Sequence, residues 1–296
     1  MRKCLSIRRL PNLCAPSLEI LGSGGCENLI EFHEAVGSLE KPKMFNLEEC
    51  KKLQILPSSF RLISLEFISL AGCVSLETLP DLCAPNLESL NIGGCKNLIE
   101  VHEAIGFLDK LKMWNLRECK KLQILPSSFR LKSLEFISLA GCLSLEKLPD
   151  LGAPNLESLD IGGCENLIEV HEAFGSLDKL KMWNLGECKN LQILPSSFRL
   201  KSLEYISLAG CVSLEKLPDL GAPNLKLLDI GGCENLIEVH EAFGSLDKLK
   251  IWNLGECKKL QFLPSSLRLK SLEYINVAGS VSLEKLTKLR KLFKKV

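Results

Sequence analysis

Each of the four histidines in this chain is followed by glutamate: His33-Glu34, His102-Glu103, His171-Glu172 and His240-Glu241. Such a pair opens the HExxH helix, in which two histidines one turn apart hold zinc and the glutamate serves as base. Here the second histidine is missing, because the residue four places on from His102 is Gly106. Each pair stands 69 residues from the next, so no further ligand converges on it, and a zinc site needs several. The spacing gives the histidines a structural place on an outer segment and predicts no metal or other cofactor.

Fourteen cysteines could supply a redox centre, a thiolate metal site or a disulfide frame. No CxxC pair occurs, which removes the usual spacing of a thiolate site. Twelve of the cysteines fall into three files with a step of 69: Cys26, Cys95, Cys164, Cys233; Cys50, Cys119, Cys188, Cys257; and Cys4, Cys73, Cys142, Cys211, with Ser280 next in that file. Cys14 and Cys83 share a place that later copies give to Gly152 and Gly221. A disulfide frame does not exchange cysteine for glycine. An interior file also lacks the exposure and positive surroundings that make a thiol reactive. Packed, reduced thiols and the lack of an N-x-Ser/Thr sequon predict a cytosolic or nuclear compartment.

The elements that hold these residues are short coils. Merged, the three cysteine files advance by 22 to 24 residues, and a fixed period in that range predicts a solenoid of stacked coils. In Leu156-Glu157-Ser158-Leu159-Asp160-Ile161-Gly162-Gly163-Cys164, apolar and polar residues alternate as in a half-buried strand. Gly162-Gly163 then turns the chain, and Cys164 returns inward to offer its thiol to a backbone carbonyl. Proline after the last core leucine, as in Leu194-Pro195, sets an extended return. His171-Glu172-Ala173-Phe174-Gly175 is the best candidate for a short helical piece.

Residues 1–282 are therefore read as one partial coil plus about twelve whole ones. Residues 283–296, with leucines at 283, 286, 289 and 292 among basic residues, are read as a capping helix. At the other end Ser23 stands where later copies hold Ile92 and Ile161, and Pro42 replaces a core leucine, so the first two coils should fray most. Net charge is +1, which offers no bulk field for nucleic acid. No apolar run reaches the ~20 residues of a membrane helix. No GxxxxGK[ST] loop occurs, and the Gly22-Ser23-Gly24-Gly25 cluster belongs to a strand-end turn, so no nucleotide chemistry and no enzyme is predicted.

The pattern LxxLxLxxCxxLxxLP resembles the leucine-rich repeat of plant intracellular immune receptors that carry a TIR domain and a nucleotide-binding switch, those of the tobacco-mosaic-virus-resistance type. The phrases Leu148-Pro149-Asp150-Leu151-Gly152-Ala153-Pro154-Asn155-Leu156-Glu157 and Leu125-Pro126-Ser127-Ser128-Phe129-Arg130-Leu131 carry the resemblance. It implies a horseshoe with a parallel β-sheet on the concave face and short helical or extended segments on the convex face. It also implies a role in defence, holding a pathogen effector or the receptor's own TIR and nucleotide-binding domains.

A protein partner would meet the inner wall. Its outward column includes Met113, Phe136, Met182, Tyr205 and Tyr274, and the next includes Asn115, Ser138, Asp160, Asn184 and Asp229, with Arg117 beyond. Aromatic and methionine anchors beside short polar residues are typical of protein-recognition surfaces. The competing reading is a stand-alone or engineered scaffold without an evolved ligand, since copies 95–163 and 164–232 agree at 60 of 69 positions. A monomer is expected in isolation.

Overall fold

A single coil of this sequence cannot enclose its own leucines, so each is stable only against its neighbours. The computed structural model describes residues 4, 6–57 and 61–280; the expected capping segment 283–296 lies outside them. The chain divides into two compact units, Met1–Leu167 and Ile168–Val296. In the first, the strands Ile20–Gly22, Met44–Asn46, Phe67–Ser69, Ser89–Asn91, Met113–Asn115, Phe136–Ser138 and Ser158–Asp160 pair in that order, all parallel. In the second, Met182–Asn184, Tyr205–Ser207, Leu227–Asp229, Ile251–Asn253 and Tyr274–Asn276 do the same. This is the parallel-strand solenoid that the period predicts.

Three coil types alternate: a histidine coil, a tryptophan coil (Phe45 takes that place in the first copy) and a third coil with strands such as Phe136–Ser138. Each strand is only three residues long because its last side chain ends it. Asn91 Oδ1 accepts the Gly93 N–H at 3.1 Å and Asp229 Oδ1 accepts the Gly231 N–H at 3.0 Å, the Asx turn that competes with continued pairing. The next turn residue has positive φ and is glycine in histidine and third coils, as at Gly94 (φ 77°) and Gly141 (φ 75°). Tryptophan coils instead place Glu49, Glu118, Glu187 and Glu256 there, at φ of 58° to 60°. Each of these side chains lies over the glycine of the following coil, where an added Cβ on Gly72, Gly141, Gly210 or Gly279 would strike the carboxylate.

The strand's middle residue and the following leucine or isoleucine point inward. Trp114, Leu116, Ile137, Leu139, Leu159 and Ile161 are all buried. The indole N–H groups of Trp114, Trp183 and Trp252 have no partner, so tryptophan serves these coils by volume, and Phe45 can replace it. Cysteine closes each turn from inside. Its thiol donates to a carbonyl of the preceding coil, as from Cys95 to Leu70 O (3.2 Å), Cys142 to Leu116 O (3.3 Å) and Cys233 to Leu208 O (3.1 Å). Ser280 keeps that bond with a hydroxyl, 2.6 Å from Leu254 O.

On the return side the histidine coils carry 3-10 helices at Glu34–Ser38, Glu103–Phe107, Glu172–Ser176 and Glu241–Ser245. The return segments also pair with one another, which the pattern alone does not announce. Thr78–Leu79 pairs with Glu100–Val101, and Lys216–Leu217 with Glu238–Val239, both parallel. In the first coil Ser23 is buried with a hydroxyl that has no partner, the defect expected to loosen that end.

Candidate functional site

The wall strands present one side chain in three to solvent on the outward column, and those side chains are mainly apolar. Met113 is 52%, Met182 51% and Tyr274 55% exposed, while Phe136 and Tyr205 are half-buried between neighbours. Strand pairing sets Met113 beside Phe136 in the first unit. In the second it aligns Met182, Tyr205, Leu227, Ile251 and Tyr274 in one row, at ~4.8 Å per strand. The row leaves a strip of apolar surface open to solvent.

The polar column beside it is committed differently from the expectation. Asn115, Asn184 and Asp160 each use Oδ1 to accept the backbone N–H two residues on, at 3.0, 3.0 and 3.2 Å, and Asp229 does likewise. Asn253 donates to Asp229 Oδ1 at 2.7 Å, and Asn276 donates to Asn253 at 2.9 Å. Ser138 must be corrected as a surface contact: it is 4% exposed. Serine is shorter than Asn115 and Asp160 on either side, and its hydroxyl donates to Asp160 at 3.2 Å. This column thus builds the turns first and is half-covered. Arg117 lies beyond it, exposed.

On the strands' other flank runs a ladder of opposite charges. Lys112 meets Glu88 at 2.8 Å, Lys226 meets Glu204 at 2.7 Å and Lys250 meets Glu273 at 2.9 Å. Glu88 holds the Lys112 ammonium above its usual range, and Lys226 holds Glu204 below its own. All are solvent-exposed, so each pair adds little to stability. Their effect is to neutralise that border of the apolar row.

The histidines have a defined structural job. Nδ1 of His33, His102, His171 and His240 accepts the N–H of the alanine two residues on, at 3.1 to 3.2 Å, and caps the 3-10 helix. The neighbouring glutamate reaches forward: Glu103, Glu172 and Glu241 accept from the backbone and hydroxyl of Ser127, Ser196 and Ser265 in the next coil. His-Glu is a cap followed by a clasp. Among the described residues no group of three His, Cys, Asp or Glu could hold a metal ion. The cysteine file is similarly closed. Burial pushes the Cys50 and Cys257 thiols up to about 11 and those of Cys119 and Cys164 up to about 12. Nor is any helix among the described residues long and apolar enough to cross a membrane.

No family model matches the chain. It is 31% identical to Protein SUPPRESSOR OF npr1-1, CONSTITUTIVE 1 of Arabidopsis thaliana over 82% of this chain and 18% of that protein. It is 34% identical to TMV resistance protein N of Nicotiana glutinosa over 80% of this chain and 22% of that one. The chain therefore spans about a fifth (18–22%) of these relatives. Among solved structures, a leucine-rich-repeat protein of Leptospira interrogans aligns over 98% of this chain and 95% of its own, with 22% identity and a TM-score of 0.40. The wall, the thiol file and the relatives together identify the chain as a leucine-rich-repeat array homologous to that of plant TIR-type nucleotide-binding disease-resistance proteins.

Proposed function

We propose that this array is the recognition part of a plant immune receptor acting in the cytosol or nucleus. Its wall binds a protein: a pathogen effector, or TIR and nucleotide-binding domains that it restrains. The observation that carries the reading is the apolar row. Met182, Tyr205, Leu227, Ile251 and Tyr274 stand in register on adjacent strands, and both polar borders are already satisfied by turn bonds and ion pairs. Such a row gains free energy by being covered, and large anchors in a protected setting supply most binding energy. The homology to disease-resistance proteins supports a defence role for the array.

A two-hybrid screen of the chain against pathogen effectors and against TIR and nucleotide-binding domains tests this. Partners of the parent chain should be lost with a Met182→Ser, Tyr205→Ala, Tyr274→Ala triple variant, at about 1–2 kcal/mol or more per anchor. An outer-side variant such as Ile193→Ser should keep them. Capture indifferent to the triple variant would remove the wall from the account and favour the scaffold reading.

A further inference from the structure

The return-side strands form sheets that stop at the same place in each unit. In the second unit Lys216–Leu217 pairs with Glu238–Val239, and Glu238 bridges onward to Phe262. In the first, Thr78–Leu79 pairs with Glu100–Val101, and Glu100 bridges to Ile124. The order is third coil, histidine coil, tryptophan coil, and there it ends. Among the described residues no bridge joins Ile193 to Lys216, although the same two coils pair fully on the wall through Met182 and Tyr205. In the first unit the Ser144 N–H reaches Lys120 O at 3.2 Å, just before the interruption.

An open notch fills each interruption. One of about 570 Å³ lies among Gln192, Ile193, Glu215 and Lys216, and one of about 480 Å³ lies among Gln123, Glu146 and Lys147. Both are shallow and open to solvent. Ile193, which lines the larger notch, is 51% exposed, and Ile124, next in sequence to Gln123 of the other, is 53% exposed. A lysine on a strand edge ordinarily guards it against added strands. Lys216 lines the larger notch, but its ammonium is already paired with Glu238 at 2.9 Å. Glu146 and Glu215 remain on the lips, exposed.

We propose that each notch accepts an extended segment of a partner protein as an added strand. The segment's backbone bridges the tryptophan coil to the third coil and so continues the interrupted outer sheet. An apolar side chain covers Ile124 or Ile193, and an alternate basic side chain meets Glu146 or Glu215. In this mode of recognition backbone bonds give affinity and alternate side chains give selectivity. The surface is separate from the wall and needs no occupant there.

The probe is a capped peptide of about six residues, a common strand length, alternating valine with lysine and arginine. Its control is the same peptide N-methylated at alternate residues, which keeps the side chains and removes backbone donors. Anisotropy with the whole chain should show the parent peptide binding about tenfold more tightly than the control, the loss expected for one or two backbone bonds. Hydrogen exchange should slow over residues 144–148 and 213–217. A Glu146→Lys, Glu215→Lys variant, checked for folding by circular dichroism, should weaken binding several-fold, while Met182→Ser with Tyr205→Ala should leave it unchanged. Equal binding by the methylated control, no binding of the parent peptide, or protection confined to the wall strands would overturn the proposal.

Discussion

In the first unit the wall carries Glu48 and Arg117 beyond its asparagine column; in the second, Gly186 and Gly255 stand at those places. Ser158 on a first-unit strand corresponds to Leu227 on a second-unit strand, Phe136 to Tyr205, and Glu157 to Lys226. The core between them is nearly the same set of residues, and most of the file and turn positions are identical. Coil interiors are matched in shape to the coil above and below, so a change there must be answered twice. Side chains on the wall's outward column face solvent and are less constrained. The two walls have consequently diverged in kind: the first mixes charge with apolar anchors, and the second is an apolar row with neutral borders.

The deepest test of the shared interior is Trp183→Ala. It should cost the second unit about 3–5 kcal/mol, read as faster hydrogen exchange over 182–230. Trp183→Phe should cost far less, because the indole N–H makes no bond and Phe45 already fills that place in the first unit. If the two substitutions cost the same, volume is not what the tryptophan provides.

Alkaline titration separates the units next. Burial raises the thiols of Cys50, Cys73, Cys95, Cys119, Cys142 and Cys164 in the first unit, and of Cys211, Cys233 and Cys257 in the second. Below the ordinary thiol value of 9.0 both folded and unfolded chains are protonated, and this stability is fully present. Above it the unfolded chain loses protons while folded thiols keep theirs, so stability falls as pH rises, toward about 11 for Cys50 and Cys257 and about 12 for Cys119 and Cys164. Each thiol contributes up to about 1.4 kcal/mol per pH unit. Exchange protection measured from pH 9 upward should therefore be lost more steeply in the first unit; equal loss would break the contrast.

Smaller effects test the turns. Cys83 sits at φ 39°, where Gly152 and Gly221 stand at 52° and 53° in later copies. Cys83→Gly should stabilise the first unit by about 1 kcal/mol. Gly221→Ala should destabilise the second by about 1–3 kcal/mol, since the new Cβ meets the Phe198 carbonyl oxygen. The smallest shift is expected from Gly186→Arg, which copies Arg117 onto the second wall. Melting should move by less than about 0.5 kcal/mol, while capture of an acidic partner should become salt-dependent.

The period, the inward leucines and the thiol-to-carbonyl bond are legible in the chain because each depends on a repeated local pattern. So is the short helix after His171, though not the reason for its start: the imidazole as cap shows only once Ala173 N is found against it. The polar wall column misleads, because Asn115 or Asp160 reads as an exposed hydrogen-bonding residue until its oxygen is seen closing a turn. The interrupted outer sheet is hidden for another reason. Its partners, such as Glu238 and Phe262, are 24 residues apart and belong to different coils. The glutamates at positive φ run against residue preference outright, and no spacing rule would place them there.

Those glutamates also bear on how such an array can lengthen. Each one lies over a glycine in the coil that follows, so two tryptophan coils in succession would drive one glutamate into the Cβ of the next. The clasp from Glu103 to Ser127 likewise requires a histidine coil to precede a tryptophan coil. A lone coil gained or lost by recombination would leave mismatched neighbours, whereas a block of three restores every junction. Growth in such triplets would lengthen the wall in steps of about 14 Å, three strand spacings at a time.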